Sequence, residues 1–316
     1  MSEITPDRAS LGGTYPLAGR QVARIGYGAM QLERLASNAD AATSLLRRAL
    51  EAGVNHVDTA DFYGAGFVNE VIGRAVGDRD DIVVATKIGA LTNPGGPLPL
   101  RPAQRPRELR ASIQDNLRTL SRDRLDLVYL RRLDAGPGLR AENEQLVPLD
   151  DQLAVLLELR DAGDITAIGL SGVTIDILRS ALPAGIAAVQ NAYSVVDREF
   201  EEMLGLTVDE RIAWIPYFPL GSAFAGYPSV TEQQAVIDAA LRLGVTPSQV
   251  GLAWLLQRRP NILLIPGTSD PAHLDENNRA GDVVLDADAV AELDTLEPTG
   301  VGELQWSQES SERVHR

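Results

Sequence analysis

The sequence predicts a (β/α)8 TIM barrel with an N-terminal β-hairpin and extra C-terminal helices, on three observations. Eight short β-rich runs alternate with helix-period segments along nearly the whole chain. Eight such pairs in about 250 residues match the arithmetic of a closed barrel, with right-handed crossovers joining successive parallel strands. The rival architecture, a doubly wound nucleotide-binding sheet, wants GxGxxG directly after its first strand. That motif is absent, and the nearest string, Gly26 to Gly28, lacks the third glycine.

The elements follow in order. GGTYPLAGRQ reads as a short hairpin. VARIGYG is the first barrel strand, AATSLLRRALEAG its helix, and VNHVDTA the second strand. The later strands are IVVATKI, LDLVYLR, ITAIGLS, AAVQNAY, RIAWIPY and ILLIPGT, and amphipathic segments such as RELRASIQDNLRTL, QLAVLLELRDAG, EEMLGL and TPSQVGLAWLLQRR lie between them. The last of these opens on a Thr246 cap with Pro247 in the first turn. LDADAVAELDTLE supplies an extra helix after the eighth unit, and its acidic residues form a solvated face. The Pro/Gly-rich stretch LTNPGGPLPLRPAQRP lies within one β/α connection and reads as a long loop over one barrel end. No linker divides the chain, so residues 1–316 read as one domain, with about ten N-terminal and fifteen C-terminal residues peripheral.

Composition narrows the function. The formal net charge of -15, with no basic cluster, repels nucleic acid and anionic membrane surfaces and leaves small molecules as the expected partners. The N-terminus lacks a basic start and an apolar signal core, and no apolar run approaches the roughly 20 residues of a membrane span. A cytoplasmic protein, monomeric or weakly homo-oligomeric, is expected. With no cysteine, thiolate metal sites and cysteine nucleophiles are excluded, and no histidine and carboxylate cluster has metal-ligand spacing.

The chemistry is expected where polar residues close apolar strands, because barrel active sites lie at the carboxyl ends of the strands. Asp58, Lys87, Arg131, Ser171, Gln190 and Tyr217 all stand in that place and should converge on one mouth. Lys87 is the one lysine among 29 basic residues, which marks a position that needs a compact, tunable ammonium rather than a flat guanidinium. Tyr63 lies five residues beyond Asp58, on the loop over the mouth. A free phenol titrates near a pKa of ~10, and a neighbouring ammonium lowers that by favouring the phenolate. Asp58 would keep Lys87 charged. The three make one device, with Tyr63 the general acid for a carbonyl oxygen as hydride reaches its carbon.

GYGAM, HVDTADFYG with NEVIGRA, the strand-ending TK, GLSGV, QNAYS and IPGTSDPAHLDEN together resemble the aldo-keto reductases over nearly the full length. The resemblance implies catalytic roles for Asp58, Tyr63 and Lys87, and NADPH binding without a Rossmann fingerprint, NADH being less favoured. Gly28, Ala29 and Met30 of GYGAM, with Asp58, would then flank the cofactor. Ser171, Gly172 and Gln190 would hold the carboxamide, Tyr217 would stack on the nicotinamide, and Phe218, Pro219, Leu220 and Gly221 would run beside the pyrophosphate. Gly267, Thr268, Ser269, His273, Glu276 and Asn277 would hold the adenosine end. Gly267 and His273 stand where the family often has basic residues for the 2'-phosphate. The donors left there are the Thr268 and Ser269 side chains, His273, and backbone amides at a helix start near Pro271.

The family's usual fourth catalytic residue is a histidine closing the fourth strand, and here that slot holds Arg131. A permanent cation binds developing oxyanion charge and favours a substrate that brings its own anionic or phenolic oxygen. Two alternatives stay open: Arg131 turning aside to pair with Asp134 or another acid, and Arg132 taking the role. With arginine there, the chain most resembles the pyridoxal reductases within the family. The short first β/α loop QLERLASNAD keeps a sugar or secondary-metabolite ketone as the alternative substrate. An NADPH-sensing subunit with little turnover is the alternative of another class. Phe62 and Trp306 are pocket candidates by position. His56 and Trp254 are expected in the core, and His315 in the tail.

Overall fold

The computed structural model describes residues 11–135, 139–221 and 227–298. It opens with the expected hairpin, β1 (Thr14–Leu17) and β2 (Arg20–Ala23), paired antiparallel. Then come β3 (Tyr27–Gly28), α1 (Ala39–Glu51), β4 (His56–Asp58), α2 (Phe67–Val76) and β5 (Val83–Ile88). The Pro/Gly-rich stretch is more ordered than a loop. Its ends pair as a second hairpin, β6 (Ala90–Thr92) with β7 (Leu100–Pro102), which brings two strand ends of the barrel mouth close to residues 103 and 104. The chain continues through α3 (Pro106–Leu120), β8 (Leu125–Arg131), α4 (Leu149–Ala162), β9 (Ile165–Ser171), α5 (Ile175–Ala181), β10 (Ile186–Gln190), α6 (Glu201–Asp209) and β11 (Ala213–Trp214). It ends in α7 (Gln234–Leu243), α8 (Pro247–Arg258), α9 (Pro271–Arg279) and α10 (Ala287–Asp294).

Seven parallel strands form one curled sheet in the order β11-β10-β9-β8-β5-β4-β3. The eighth run, residues 262–265, closes it with bridges on both sides, Trp214 to Ile262 and Ile25 to Leu264. Backbone bonds from Leu263 N to Trp214 O (2.9 Å) and from Gly26 N to Leu264 O (2.8 Å) complete the cylinder.

The strand period of two divides the core in two. Val83 and Ala85, Leu127 and Tyr129, Ala167, Ala188, Ala213 and Ile215, and Leu263 and Ile265 face the barrel axis and form a small inner cluster. Leu17, Ala18 and Val22 of the hairpin join that cluster, so the hairpin plugs the amino end of the barrel. The intervening strand residues pack outward against the helices in a larger cluster. α8 shows why its sequence is apolar all round. Its Thr246 cap and Gln249 form a reciprocal capping box, Pro247 fills the first turn, and residues 249–256 are all buried. Trp254 is core as expected, its indole N–H donating to Asp294 Oδ1 of α10 at 2.9 Å. His56 is 2% exposed inside the barrel, under Gly26, where a Cβ would come within 2.2 Å of the imidazole. Trp306 and His315 lie outside the described residues. Among the described residues no helix is long and apolar enough to cross a membrane, and no cluster of side chains has metal-ligand geometry.

Candidate active site

Alternation along each strand sends the polar strand-ending residues to the inner face, one layer above the inner apolar cluster. Lys87 follows Ala85, Arg131 follows Tyr129, and Gln190 follows Ala188, each by two residues. The ladders place Gly28 beside Asp58, Ser171 beside Arg131, and Gln190 beside Ser171. The other ladders are stepped, Asp58 pairing with Ala85 and Lys87 with Tyr129, so the strand tilt staggers these side chains around the mouth.

The centre of the layer is the buried Lys87 ammonium, which donates to Asp58 Oδ1 at 2.5 Å and to the Thr59 carbonyl at 2.9 Å. Gln190 Nε2 donates to the other carboxylate oxygen, Asp58 Oδ2, at 2.9 Å. Asp58 is thus bound on both oxygens. Tyr63 lies over the ammonium, with Nζ 5.1 Å from the centre of its ring. Burial pulls the lysine pKa down, but Asp58 and then Tyr63 outweigh it, so the ammonium holds its proton more firmly than a free lysine. Phe62 packs edge-to-face on Tyr63, ring centres 5.1 Å apart.

Both alternatives for Arg131 are decided by strand alternation. Arg132, pointing the other way, pairs with Asp134 at 2.6 Å and also bonds the Val147 carbonyl and Gln152. Arg131 is half-buried in the mouth, its guanidinium 5.7 Å from the Phe62 ring, with no carboxylate partner among the described residues. Burial lowers its pKa, and its nearest charge partners are the Tyr217 and Tyr63 phenols. Tyr217, by burial and against the pull of Arg131, is pushed up to about 12 and stays neutral.

A groove of about 380 Å³ opens beside this layer. Of the residues expected along a cofactor, Gly28, Met30, Asp58, Gln190, Tyr217, Phe218, Pro219, Leu220, Gly221, Gly267, Thr268, His273, Glu276 and Asn277 line it, together with Tyr63 and Lys87. Ala29, Ser171, Gly172 and Ser269 are not on its wall; Ala29 and Ser171 are 0% and 3% exposed. Gly172 N is instead bonded to Asn191 Oδ1 at 3.0 Å, which turns the chain away after β9. Four lining residues were not anticipated: Gln31, Ser248, Ile265 and Pro266. Ile265 and Pro266 end the eighth strand run, so the strand-end rule applied there would have found them.

The helix start near Pro271 is a correction. Its amides were expected to hold a phosphate, but Asp270 caps them, its Oδ1 accepting from Ala272 N at 2.7 Å and His273 N at 3.3 Å. A carboxylate already occupies the anion position of that helix. Lys87, at the far end, is the one lysine or arginine on the groove wall among the described residues.

The groove suits a dinucleotide. A Cβ at Gly28 would stand 2.4 Å from the Ile265 carbonyl oxygen, and one at Gly221 would stand 2.4 Å from that of Pro228, so both walls are shaped by missing side chains. One end carries an aromatic ring and the Gln190 amide, the other Thr268, Glu276, Asn277 and His273.

The sequence model of the aldo/keto reductase family matches residues 24–298. A pyridoxine 4-dehydrogenase of Escherichia coli is 40% identical over 290 residues, covering 90% of this chain and 98% of the relative. An aldo/keto reductase of Klebsiella pneumoniae, crystallised with NADP and acetate, superposes with a TM-score of 0.75 at 25% identity, covering 92% of this chain and 97% of the other. A second from the same organism, in complex with NADPH, superposes with a TM-score of 0.77 at 24% identity, covering 93% and 99%, a likeness of fold.

Proposed function

We propose, from the premise that this chain belongs to the aldo/keto reductase family, that it is an NADPH-dependent reductase of pyridoxal or a related aromatic aldehyde. The observation that carries the reading is the half-buried Arg131, with no carboxylate partner among the described residues, beside the Asp58–Lys87–Tyr63 arrangement. The similarity to a pyridoxine 4-dehydrogenase supports it, because pyridoxal carries a phenolic oxygen, ionised near neutral pH, next to its aldehyde.

Met30, Tyr217 and the 265–268 segment hold the cofactor along the groove, and Gln190 keeps an amide oxygen for its carboxamide after spending an N–H on Asp58. When bound, NADPH supplies the hydride. Tyr63 holds the proton at Oη and gives it to the substrate carbonyl oxygen. Lys87 stabilises the phenolate left behind, and Asp58, doubly hydrogen-bonded, keeps Lys87 charged and in place. Arg131 accepts the growing negative charge on the oxygen and grips the neighbouring phenolate of the substrate. Tyr217 stays a neutral phenol and takes no part in the proton transfer.

Tyr63→Phe should lower turnover by at least about 10²-fold, the scale of a lost general acid, while NADPH binding stays nearly intact. Unchanged activity in that variant removes Tyr63 from the mechanism. A carbonyl panel run with NADPH and with NADH tests the substrate. Failure on pyridoxal with good turnover of a sugar ketone overturns the assignment.

A further inference from the structure

The β5–β8 ladder ends at the pair Ile88 and Leu130, one residue short of Arg131. Where the next rung would stand, the chain supplies a side chain. The Gln104 amide nitrogen donates to the Gly89 carbonyl at 2.6 Å and to the Arg131 carbonyl at 2.7 Å, one hydrogen to each. Gly89 makes the approach possible: it sits at a φ of +107°, and a Cβ there would lie 2.4 Å from the Arg131 oxygen and 2.8 Å from Gln104 Nε2. Gln104 is itself 1% exposed and held on its remaining groups. Gln152 Nε2 donates to both its side-chain and its main-chain oxygen, at 2.9 and 2.8 Å, and its backbone N–H donates to Gln145 at 2.6 Å. Gln152 in turn accepts from Arg132, whose other partners are Asp134 and the Val147 carbonyl.

A buried amide with every group engaged is rigid, and a misplaced one takes its donor from the Arg131 carbonyl, while the Gly89 carbonyl keeps the Ala103 N–H at 2.9 Å. Its two acceptors belong to the residue that carries the Arg131 guanidinium and to the residue two beyond Lys87. We infer that Gln104, locked by Gln152, is a positioning residue that fixes where Arg131 enters the mouth, and so sets the enzyme's preference for aldehydes bearing an anionic neighbouring oxygen. The inference rests on the role given to Arg131 above. Gln104 touches no reacting atom and acts through the Arg131 main chain.

The test is a double-mutant cycle of Gln104→Met with Arg131→Met. It is read with pyridoxal and with pyridine-4-carbaldehyde, which lacks the phenolic oxygen, alongside NADPH affinity from nucleotide fluorescence. Gln104→Met should lower kcat/KM for pyridoxal by about tenfold or more, since small misplacements of a binding group cost that much. The loss on pyridine-4-carbaldehyde should be several-fold smaller, with NADPH affinity within about twofold of wild type. In the Arg131→Met background the same change should add less than about twofold, because the residue it positions is gone. Additive losses, or equal losses on both aldehydes, overturn the positioning role and leave Arg131 standing. An Arg131→Met variant as active on pyridoxal as wild type removes the reading of Arg131 itself, and this inference with it. Should Gln104→Met fail to fold, Gln152→Met completes the same cycle by releasing Gln104 while leaving the Gln104 amide itself to bond the Gly89 and Arg131 carbonyls.

Discussion

Removing the Lys87 ammonium while leaving its carboxylate in place should destabilise the protein far more than removing both. The two side chains are 7% and 6% exposed and 2.5 Å apart. Lys87→Met leaves Asp58 buried with Gln190 as its one remaining side-chain donor, and an uncompensated buried charge costs about 3–5 kcal/mol. With roughly 2.1 cal/mol/K of unfolding entropy per residue over 316 residues, 4 kcal/mol lowers Tm by about 6 °C. Asp58→Leu with Lys87→Met replaces the pair by apolar groups, an exchange often neutral or stabilising by about 1–4 kcal/mol. Against that gain, the Thr59 carbonyl and the Gln190 amide lose partners at about 1–3 kcal/mol each. Taking the middle of each range, the double variant should therefore lie about 2 kcal/mol below wild type, well short of the sum of the single losses. Urea unfolding of the four proteins measures this, with NADPH oxidation in parallel, where all three variants should be inactive. A Lys87→Met protein within 1 kcal/mol of wild type, or stability losses that simply add, would refute the argument. The expected outcome means that the pair is kept for its effect on Tyr63, since apolar packing would hold the barrel about as well.

Two further outcomes follow from the same coordinates. Burial lowers the His56 pKa from 6.5 to about 4, with no well-directed partner on either ring nitrogen and only partial relief from the backbone of Leu264 and Ala23. The neutral ring stabilises the fold fully above the unfolded value of about 6.5, and that contribution is lost as pH falls towards 4. At 1.36 kcal/mol per unit the loss is about 3 kcal/mol, so urea midpoints taken between pH 7 and 4 should fall more steeply for wild type than for His56→Leu. Parallel curves would show that His56 is not the group responsible. Gly28→Ala puts a methyl 2.4 Å from the Ile265 carbonyl oxygen on the groove wall, so NADPH affinity should drop by about tenfold or more with circular dichroism unchanged. Wild-type affinity in that variant would remove Gly28 from the cofactor site.

What the sequence made legible, and what it hid, divides along physical lines. Strand alternation is a local property, so the inward set of Asp58, Lys87, Arg131, Gln190 and Tyr217 could be picked out from the residue that closes each apolar run. The N-terminal hairpin is legible too, though not its packing into the amino end of the barrel, as is the Thr246 cap with Pro247. Hidden were features that depend on what two distant segments do together. Gln104 looks like any polar loop residue until β6 and β7 pair and carry it between the ends of β5 and β8. The pairing was masked by the prolines and glycines of residues 91–106, which signal a loop more strongly than a three-residue strand. Asp270 before Pro271 is a readable cap signal, and its occupation of the anion position follows from the cap geometry. Ser171 and Arg131 close their strands like the others, yet neither is on the groove wall, a distinction that spacing along the sequence does not encode.

The choice between the two neighbouring arginines follows from charge as well as geometry. Arg132 leaves the barrel axis and is neutralised by Asp134, while Arg131 enters the mouth and, among the described residues, meets phenols and a phenyl ring and pairs with no carboxylate. Among the described residues Lys87 is paired with Asp58 and the Arg131 charge is left over, in a chain whose formal net charge is -15. A half-buried cation without a counter-ion is costly unless an anion arrives to join it. The local excess of positive charge, set within a strongly acidic surface, draws anionic ligands to this one place and turns them away elsewhere. With a histidine in that slot the mouth would be neutral above the imidazole pKa and would favour neutral carbonyls. With arginine the guanidinium charge persists at every physiological pH, which is the physical ground on which the proposed substrate, one with its own negative oxygen, rests.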